Sequence, residues 1–133
     1  MSAFTPAEIE YLKSQRLGRL ATVNAAGVPH VVPVGFRYNP TQDTLDIGGH
    51  GIGQTRKFRD AASGRPVAFV IDDVLPPWQA RGIEIRGQAE ALSEGGKEIM
   101  ADFSPELLRI KPAKIIAWGI EGDAFHANSR EVH

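Results

Sequence analysis

Turns of only four or five residues separate the first three predicted strands, and this spacing constrains the fold more than any other feature. These strands are predicted from β-branched and aromatic residues over Gly18–Val23, Val28–Tyr38 and Thr44–Gly48. A parallel connection needs a crossover of about a dozen residues or more, so these strands should pair antiparallel. Gly27 can supply the positive φ of the first tight turn. A doubly wound parallel sheet is therefore disfavoured.

The remaining pattern predicts three more strands and three helices. The later strands are predicted over Val67–Asp72, Arg81–Leu92 and Ile115–Ile120. Helices are predicted from the Thr5 capping box to Arg16–Leu17, over Thr55–Ser63 and over Ser93–Phe103, and residues 123–133 are predicted to be a tail. About six strands joined mostly by tight turns favour a mainly β fold, a closed six-stranded antiparallel barrel with peripheral helices. An open α+β sheet is the alternative.

Two prolines fall inside the second predicted strand. Pro29 and Pro33 have no backbone N–H to donate to a neighbouring strand. We therefore expect this strand to be irregular, bulged or at a sheet edge near each proline.

Composition narrows the classes of function. The 133 residues fit one domain, residues 1–133, and the net charge of −1 without a block of like charge gives no support to a nucleic-acid partner. With no cysteine, disulfides, thiolate metal sites and cysteine nucleophiles are excluded. No apolar run reaches the length of about 18 residues that a membrane span needs, and the N-terminus lacks a signal-peptide pattern. We expect a cytoplasmic protein without a membrane or nucleic-acid partner.

A glycine-rich turn precedes the second predicted helix. The spacing of Gly48 and Gly53 approaches that of a P-loop, but Gln54 stands where the lysine must be. A strand, a glycine turn and a helix N-terminus can nevertheless bind an anion, and Thr55, Arg56 and Lys57 add a hydroxyl and two cations. The alternative is an ordinary turn with a solvated basic helix face.

Histidine and tryptophan give weaker indications. His30, His50, His126 and His133 lack the spacing of a metal site, so no metal is expected. The two tryptophans, Trp78 and Trp118, are interpreted either as core or dimer contacts or as residues that stack on a ring system.

Several stretches together resemble the split-barrel flavoproteins, the pyridoxamine-phosphate-oxidase-like family. The stretch Leu17–Val23 followed by Gly27–Val34 is similar to the opening hairpin of that family, and Thr55-Arg56-Lys57 to its phosphate site. The stretches Trp78–Ala89 and Ile115–Gly119 are similar to its later strands. The resemblance runs from about Phe4 to Val132 and is greatest to the branch that uses the deazaflavin coenzyme F-420 instead of FMN.

The resemblance implies a homodimer with an FMN-binding type of split barrel and a cofactor in the groove between protomers. The residues expected to line the cofactor ring are Pro33, Val34, Gly35 and Phe36. Those expected to hold the phosphate and the anionic tail are Gly49, His50, Thr55, Arg56 and Lys57. Those expected to approach from the other protomer, or to close the substrate side, are Trp78, Arg81 and Trp118.

The implied function is a coenzyme F-420-dependent reductase that transfers a hydride to a C=C or C=N bond of a small conjugated molecule. No catalytic residue is assigned, and His30, His50, Tyr38 and water remain candidate proton donors. The alternatives are an FMN-dependent oxidoreductase on the same fold and a non-catalytic protein that binds a flavin or haem.

Overall fold

The computed structural model describes residues 2–122, 125 and 127–133. Its strands are β1 (Leu17–Val23), β2 (Pro29–Asn39), β3 (Thr44–Gly48), β4 (Val67–Leu75), β5 (Gln79–Leu92), β6 (Leu107–Trp118) and β7 (Asn128–Glu131). Its helices are α1 (Pro6–Ser14), α2 (Arg56–Ala62) and α3 (Gly96–Ile99), with a short 3₁₀ turn at Ile52–Gln54. Within these residues no helix has the length and apolar character to cross a membrane.

Six of the strands close into an antiparallel barrel. They follow the order β3-β2-β1-β4-β5-β6, and β3 also pairs with β6, so the sheet returns to its starting strand. Strand β7 pairs with residues 114–117 of β6, on the same edge where β3 pairs with residues 108–110. The prediction of a mainly β fold with a closed six-stranded antiparallel barrel is confirmed.

The barrel interior is filled by aliphatic and aromatic side chains that alternate with outward-facing residues. Phe69, Ile71, Ile83 and Ile85 of β4 and β5 have no exposed surface. Gly18 lies directly under the Phe69 ring, where a Cβ atom would overlap the ring carbons. The close packing of β1 on the core therefore requires glycine at this position.

The two prolines of β2 lie where the strand has one partner. Residues 29–34 pair with β1, whereas β3 pairs only with Gly35–Asn39. Pro29 and Pro33 thus fall on a segment whose second edge has no strand partner among the described residues. The expected edge position is confirmed.

The first helix begins as predicted and ends early. The Glu8 N–H donates to Thr5 Oγ1 at 3.2 Å, and the Thr5 N–H donates to Glu8 Oε1 at 2.9 Å, which completes the capping box. The helix ends at Ser14, not at Arg16–Leu17, because Leu17 already pairs with Gly35 in the sheet.

Three predictions about the C-terminal half are wrong. Only Gly96–Ile99 of the predicted helix 93–103 is helical, because Gly95 at φ 114° and extended Met100 interrupt it. Strand β6 begins at Leu107, eight residues before Ile115, and Pro112 is accommodated at a register shift opposite Gly87.

The predicted tail contains strand β7. Its Arg130 guanidinium donates to both oxygens of Glu8 and to the carbonyl of Ala3, which ties the C-terminal strand to the first helix. The tail residues Asp123, Ala124 and His126 lie outside the described residues.

A buried polar cluster lies where β3 and β6 close the barrel. Asp46 is buried and accepts hydrogen bonds from Arg109 Nε and Nη2, both at 3.1 Å. Asn39 Nδ2 and Thr44 Oγ1 each donate to the same carboxylate at 2.9 Å. Both carboxylate oxygens are therefore satisfied, as a buried charge requires.

Candidate functional site

A cleft of about 200 Å³ lies between the β1–β2 hairpin and α2. The strands supply Leu20, Thr22, His30 and Val32. The start of α2 supplies Thr55, Arg56, Lys57 and Asp60. A floor of two apolar and two polar side chains therefore faces a polar wall that carries two cations and one carboxylate.

The register of the hairpin explains which strand residues face this cleft. Leu20 pairs with Val32, and Thr22 pairs with His30, so the four side chains share one face of the β1–β2 ladder. Leu20 and Thr22 are buried, and His30 and Val32 are half-buried.

The two cations predicted to bind an anion both line the cleft. Arg56 is exposed and Lys57 half-buried, and neither makes an ion pair within the described part of the chain. The Thr55 hydroxyl lies beside them, but it donates to Ile52 O at 2.6 Å and accepts from the Phe58 N–H at 3.3 Å as the cap of α2. Because α2 has only seven residues, any affinity for an anion would rest on the Arg56 and Lys57 side chains.

The cleft is too small for a whole cofactor of flavin size. Pockets that bury such ligands generally measure about 300–1,000 Å³, against about 200 Å³ here. One chain alone could therefore hold only part of a ligand of that size, and Arg56 and Lys57 have the charge that a phosphate group requires.

The glycine turn lies beside the cleft and does not line it. The Gly49 carbonyl accepts from Ser104 Oγ at 2.8 Å and from the Ser104 N–H at 3.1 Å. The exposed His50 ring packs edge-on against Phe103 with 5.4 Å between centroids. Gly49 and His50 remain predicted phosphate-site residues that the structure does not bring into contact with the Arg56–Lys57 cleft.

The predicted ring-lining segment is divided between the two faces of β2. Val34 and Phe36 point into the core, where Phe36 packs edge-on against Phe69 with 5.4 Å between centroids. Pro33 is exposed and Gly35 half-buried, on the outward face of the strand. A ring at this segment would therefore meet Pro33, Gly35 and the backbone, and not the Val34 and Phe36 side chains.

The residues predicted to approach from the other protomer, or to close the substrate side, lie at the opposite end of the sheet. They are Trp78, Arg81 and Trp118. Trp78 follows Leu75 at the end of β4, whereas the cleft lies level with Val67 at its start, a separation of about 25 Å along the strand. Trp78 is 77% exposed. Trp118 packs over Gly82, where a Cβ atom would lie 2.5 Å from the indole. Within one chain these residues do not reach the cleft.

Arg81 is held by a cluster of its own. Its Nε and Nη2 donate to the two oxygens of Asp73 at 2.7 and 2.9 Å, and its guanidinium lies 4.8 Å from the Tyr11 ring centroid. These hydrogen bonds from Arg81 lower the pKa of the Asp73 carboxyl despite its partial burial. Burial and the hydrogen bond to Asp73 raise the pKa of Tyr11 well above its usual range.

The candidate proton donors differ in position. His30 lines the cleft and His50 lies outside it. The Tyr38 hydroxyl donates to Asp43 Oδ1 at 2.7 Å near the N-terminus, and burial raises its pKa. Of the three side chains, His30 is the one that borders the cationic cleft.

Sequence reasoning missed four lining residues: Leu20, Thr22, Val32 and Asp60. The alternation of the predicted hairpin could have indicated the three strand residues, since cross-strand partners share a face. Nothing in the local sequence distinguishes Asp60.

A shallow groove of about 350 Å³ crosses the outer face of β1, β2, β4 and β5. It includes Ala21, Val31, Ala68 and Val70, flanked by Arg19 and Glu84. Val31 is 66% exposed. This face therefore presents apolar side chains to its surroundings.

The chain matches a known protein family and a reductase from Streptomyces. Residues 4–119 match the sequence family described as pyridoxamine 5′-phosphate oxidase. Over 122 residues the chain is 48% identical to the 5a,11a-dehydrotetracycline/5a,11a-dehydrooxytetracycline reductase of Streptomyces rimosus subsp. rimosus, covering 90% of this chain and 86% of that protein.

Two solved structures from Mycobacterium smegmatis are similar in fold. The FAD binding protein has a TM-score of 0.63 and 23% identity, covering 86% of this chain and 93% of that one. The heme binding protein has a TM-score of 0.63 and 15% identity, covering 98% of this chain and 60% of that one.

Proposed function

Because the chain belongs to the pyridoxamine 5′-phosphate oxidase family, we propose that it is a reductase that uses coenzyme F-420 to transfer a hydride to a small conjugated acceptor. The observation that carries this proposal is the 48% identity, over 90% of the chain, to a reductase. That relationship supports oxidoreductase activity, and the family and fold support a flavin-type cofactor. The deazaflavin, in preference to FMN, rests on the resemblance of the chain to the deazaflavin-using branch.

The residues of the cleft fit the phosphorylated part of such a cofactor. A guanidinium can grip a phosphate with two hydrogen bonds, and an ammonium adds a point charge, so Arg56 and Lys57 would have different roles. When bound, the cofactor supplies the hydride. The protein would bind its tail, hold its ring and shield the reacting atoms from water. His30 lines the same cleft and would lie beside the phosphate, so His30, His50, Tyr38 and water all remain candidate proton donors.

The proposed acceptor is a compound with an activated double bond. The relative from Streptomyces is named for the reduction of 5a,11a-dehydro compounds. We extend from that name only the class of reaction, the saturation of a conjugated bond, and leave the acceptor of this chain open.

The proposal is tested by titrating the purified protein with coenzyme F-420 and, separately, with FMN, following quenching of Trp78 and Trp118 fluorescence. We expect tight binding of the deazaflavin and weak binding of FMN. The loaded protein should then oxidise reduced F-420 when an enone is added. Preference for FMN would assign the chain to the flavin alternative. Binding without turnover of any acceptor would favour a carrier, and binding of neither cofactor would contradict the proposal.

We further propose that the working unit is a homodimer packed through the outer face of β1, β2 and β4. The cleft of one chain holds only part of a cofactor, and Trp78, Arg81 and Trp118 lie at the far end of the sheet. A two-fold axis across the strands would place the Trp78 end of one sheet level with the cleft end of its partner, against the face of the β1–β2 hairpin opposite to the cleft residues. The exposed Val31 lies on this face, on the segment of β2 that pairs with β1 and forms the edge of the sheet.

The dimer proposal predicts that Val31→Asp converts the protein to monomer and weakens cofactor binding. A carboxylate buried against an apolar interface would lose its hydration without a partner. Light scattering and the same titration measure both effects. Met100→Asp, at an exposed apolar residue beside α3, is the matched control and should stay dimeric. A wild-type monomer that still binds cofactor tightly would contradict the dimer.

A further inference from the structure

Asp60 is an anion in the wall of an otherwise cationic cleft. Its side chain is 12% exposed, and its Oδ2 is buried and accepts no hydrogen bond from any residue that the structure describes. The other oxygen lies 3.8 Å from Arg65 Nη2, which is the long end of ion-pair distances. The carboxylate is therefore only partly satisfied by the protein.

A buried carboxylate oxygen without a hydrogen-bond partner favours a ligand group that can donate a hydrogen bond. Ionised aspartate can accept hydrogen bonds and cannot donate them. Leaving such an oxygen without a donor is costly, and native proteins rarely do so without a reason. A phosphate group would be repelled at this position, whereas a hydroxyl group would donate to it.

The spacing on α2 places this acceptor close to the cations. Asp60 is four residues after Arg56 and three after Lys57, so the three side chains lie on neighbouring turns of one helix face. The cleft thus combines two cations with one acceptor. A chain that carries both a phosphate and hydroxyl groups matches this combination.

We propose that Asp60 Oδ2 accepts a hydrogen bond from a hydroxyl group of the ribityl chain, next to the phosphate held by Arg56 and Lys57. This inference rests on the proposed function, because it assumes that a flavin-type cofactor occupies the cleft. The ribityl phosphate is common to FMN and coenzyme F-420, so Asp60 selects for the hydroxylated chain and not between the two ring systems.

The test compares two ligands that differ only in the chain hydroxyls. One is the ribityl-phosphate flavin or deazaflavin that the wild-type protein binds, and the other carries a 5-phosphopentyl chain on the same ring. We expect Asp60→Ala to weaken binding of the ribityl ligand about tenfold or more. Binding of the phosphopentyl ligand should not weaken, because the variant loses no hydrogen bond to it and loses a charge that repels its phosphate. Arg56→Ala should weaken binding of both ligands.

Arg65→Gln is the matched control, because it removes the ion pair, together with the hydrogen bond from Arg65 Nε to Val23 O, and leaves the carboxylate. It should keep the preference for the ribityl ligand, and thermal unfolding should show every variant folded. Equal weakening of both ligands by Asp60→Ala, or loss of the preference in Arg65→Gln, would overturn the inference and leave the proposed function standing. If the wild-type protein binds neither ribityl ligand, the proposed function fails and the inference fails with it.

Discussion

Replacing Arg56 and Lys57 together by alanine is expected to weaken cofactor binding about a hundredfold while leaving the barrel folded. Both side chains line the cleft, and neither makes an ion pair within the described part of the chain, so their loss breaks no salt bridge there. Hydrogen bonds to charged groups contribute about 1.5–3 kcal/mol each, and two such contacts correspond to a factor of about a hundred or more in Kd.

The measurement is the fluorescence titration, repeated at two salt concentrations. Charge pairing with a phosphate is screened by salt, so wild-type affinity should fall with ionic strength more steeply than that of the double variant. The matched control is the Lys13→Ala/Arg59→Ala double variant, which makes the same change in net charge at two exposed residues outside the cleft. An affinity of Arg56→Ala/Lys57→Ala within twofold of wild type would place the phosphate elsewhere.

The barrel could be predicted because its first strands carry local signals. The hairpin from Leu17 to Gly35 alternates inward and outward residues, and its turn contains a glycine that adopts φ 83° at Gly27. Short connections then leave antiparallel pairing as the available arrangement. At these positions the alternation of residues and the short connections both predict the same antiparallel pairing, so the sequence alone is enough to predict the hairpin.

The missed elements depend on contacts that are distant in the sequence. The first half of β6 carries Arg109, Lys111 and Pro112, a pattern that does not predict a strand. These residues fit a strand because Arg109 pairs with Asp46 and Pro112 lies at the bulge opposite Gly87. Strand β7 is polar throughout and depends on the Arg130 hydrogen bonds to Glu8, 122 residues earlier. Tertiary partners, and not local propensity, place both segments.

Some residues of the candidate site could likewise be predicted from local sequence, and others could not. Arg56 and Lys57 were recognisable because a cation pair after a glycine turn is a local pattern. Asp60 was not, since the feature that singles it out is an oxygen left without a donor after folding. The distance of Trp78, Arg81 and Trp118 from the cleft also follows from strand register, which one sequence does not give.

Replacing Arg109 by methionine is expected to reduce the free energy of unfolding by about 3–5 kcal/mol. The Arg109 side chain is 18% exposed and its partner Asp46 is 1% exposed, so the substitution leaves a buried carboxylate without its counter-charge. Asp46 in turn raises the pKa of Arg109 through their hydrogen bonds. The pair joins β3 to β6, and these strands close the barrel.

Urea unfolding of Arg109→Met and two further variants measures two costs separately. One is the cost of leaving a buried charge without a counter-charge, and the other is the cost of losing an exposed salt bridge. Arg86→Ala is the matched control, because it breaks an ion pair with Glu84 in which the arginine is 53% exposed, and we expect a cost below about 1 kcal/mol. The Arg109→Met/Asp46→Leu double variant removes both charges and should recover part of the loss, since an apolar pair of similar size needs no counter-charge. A cost for Arg109→Met as small as that for Arg86→Ala would mean that water or backbone movement relieves Asp46, and that the β3–β6 closure does not depend on this ion pair.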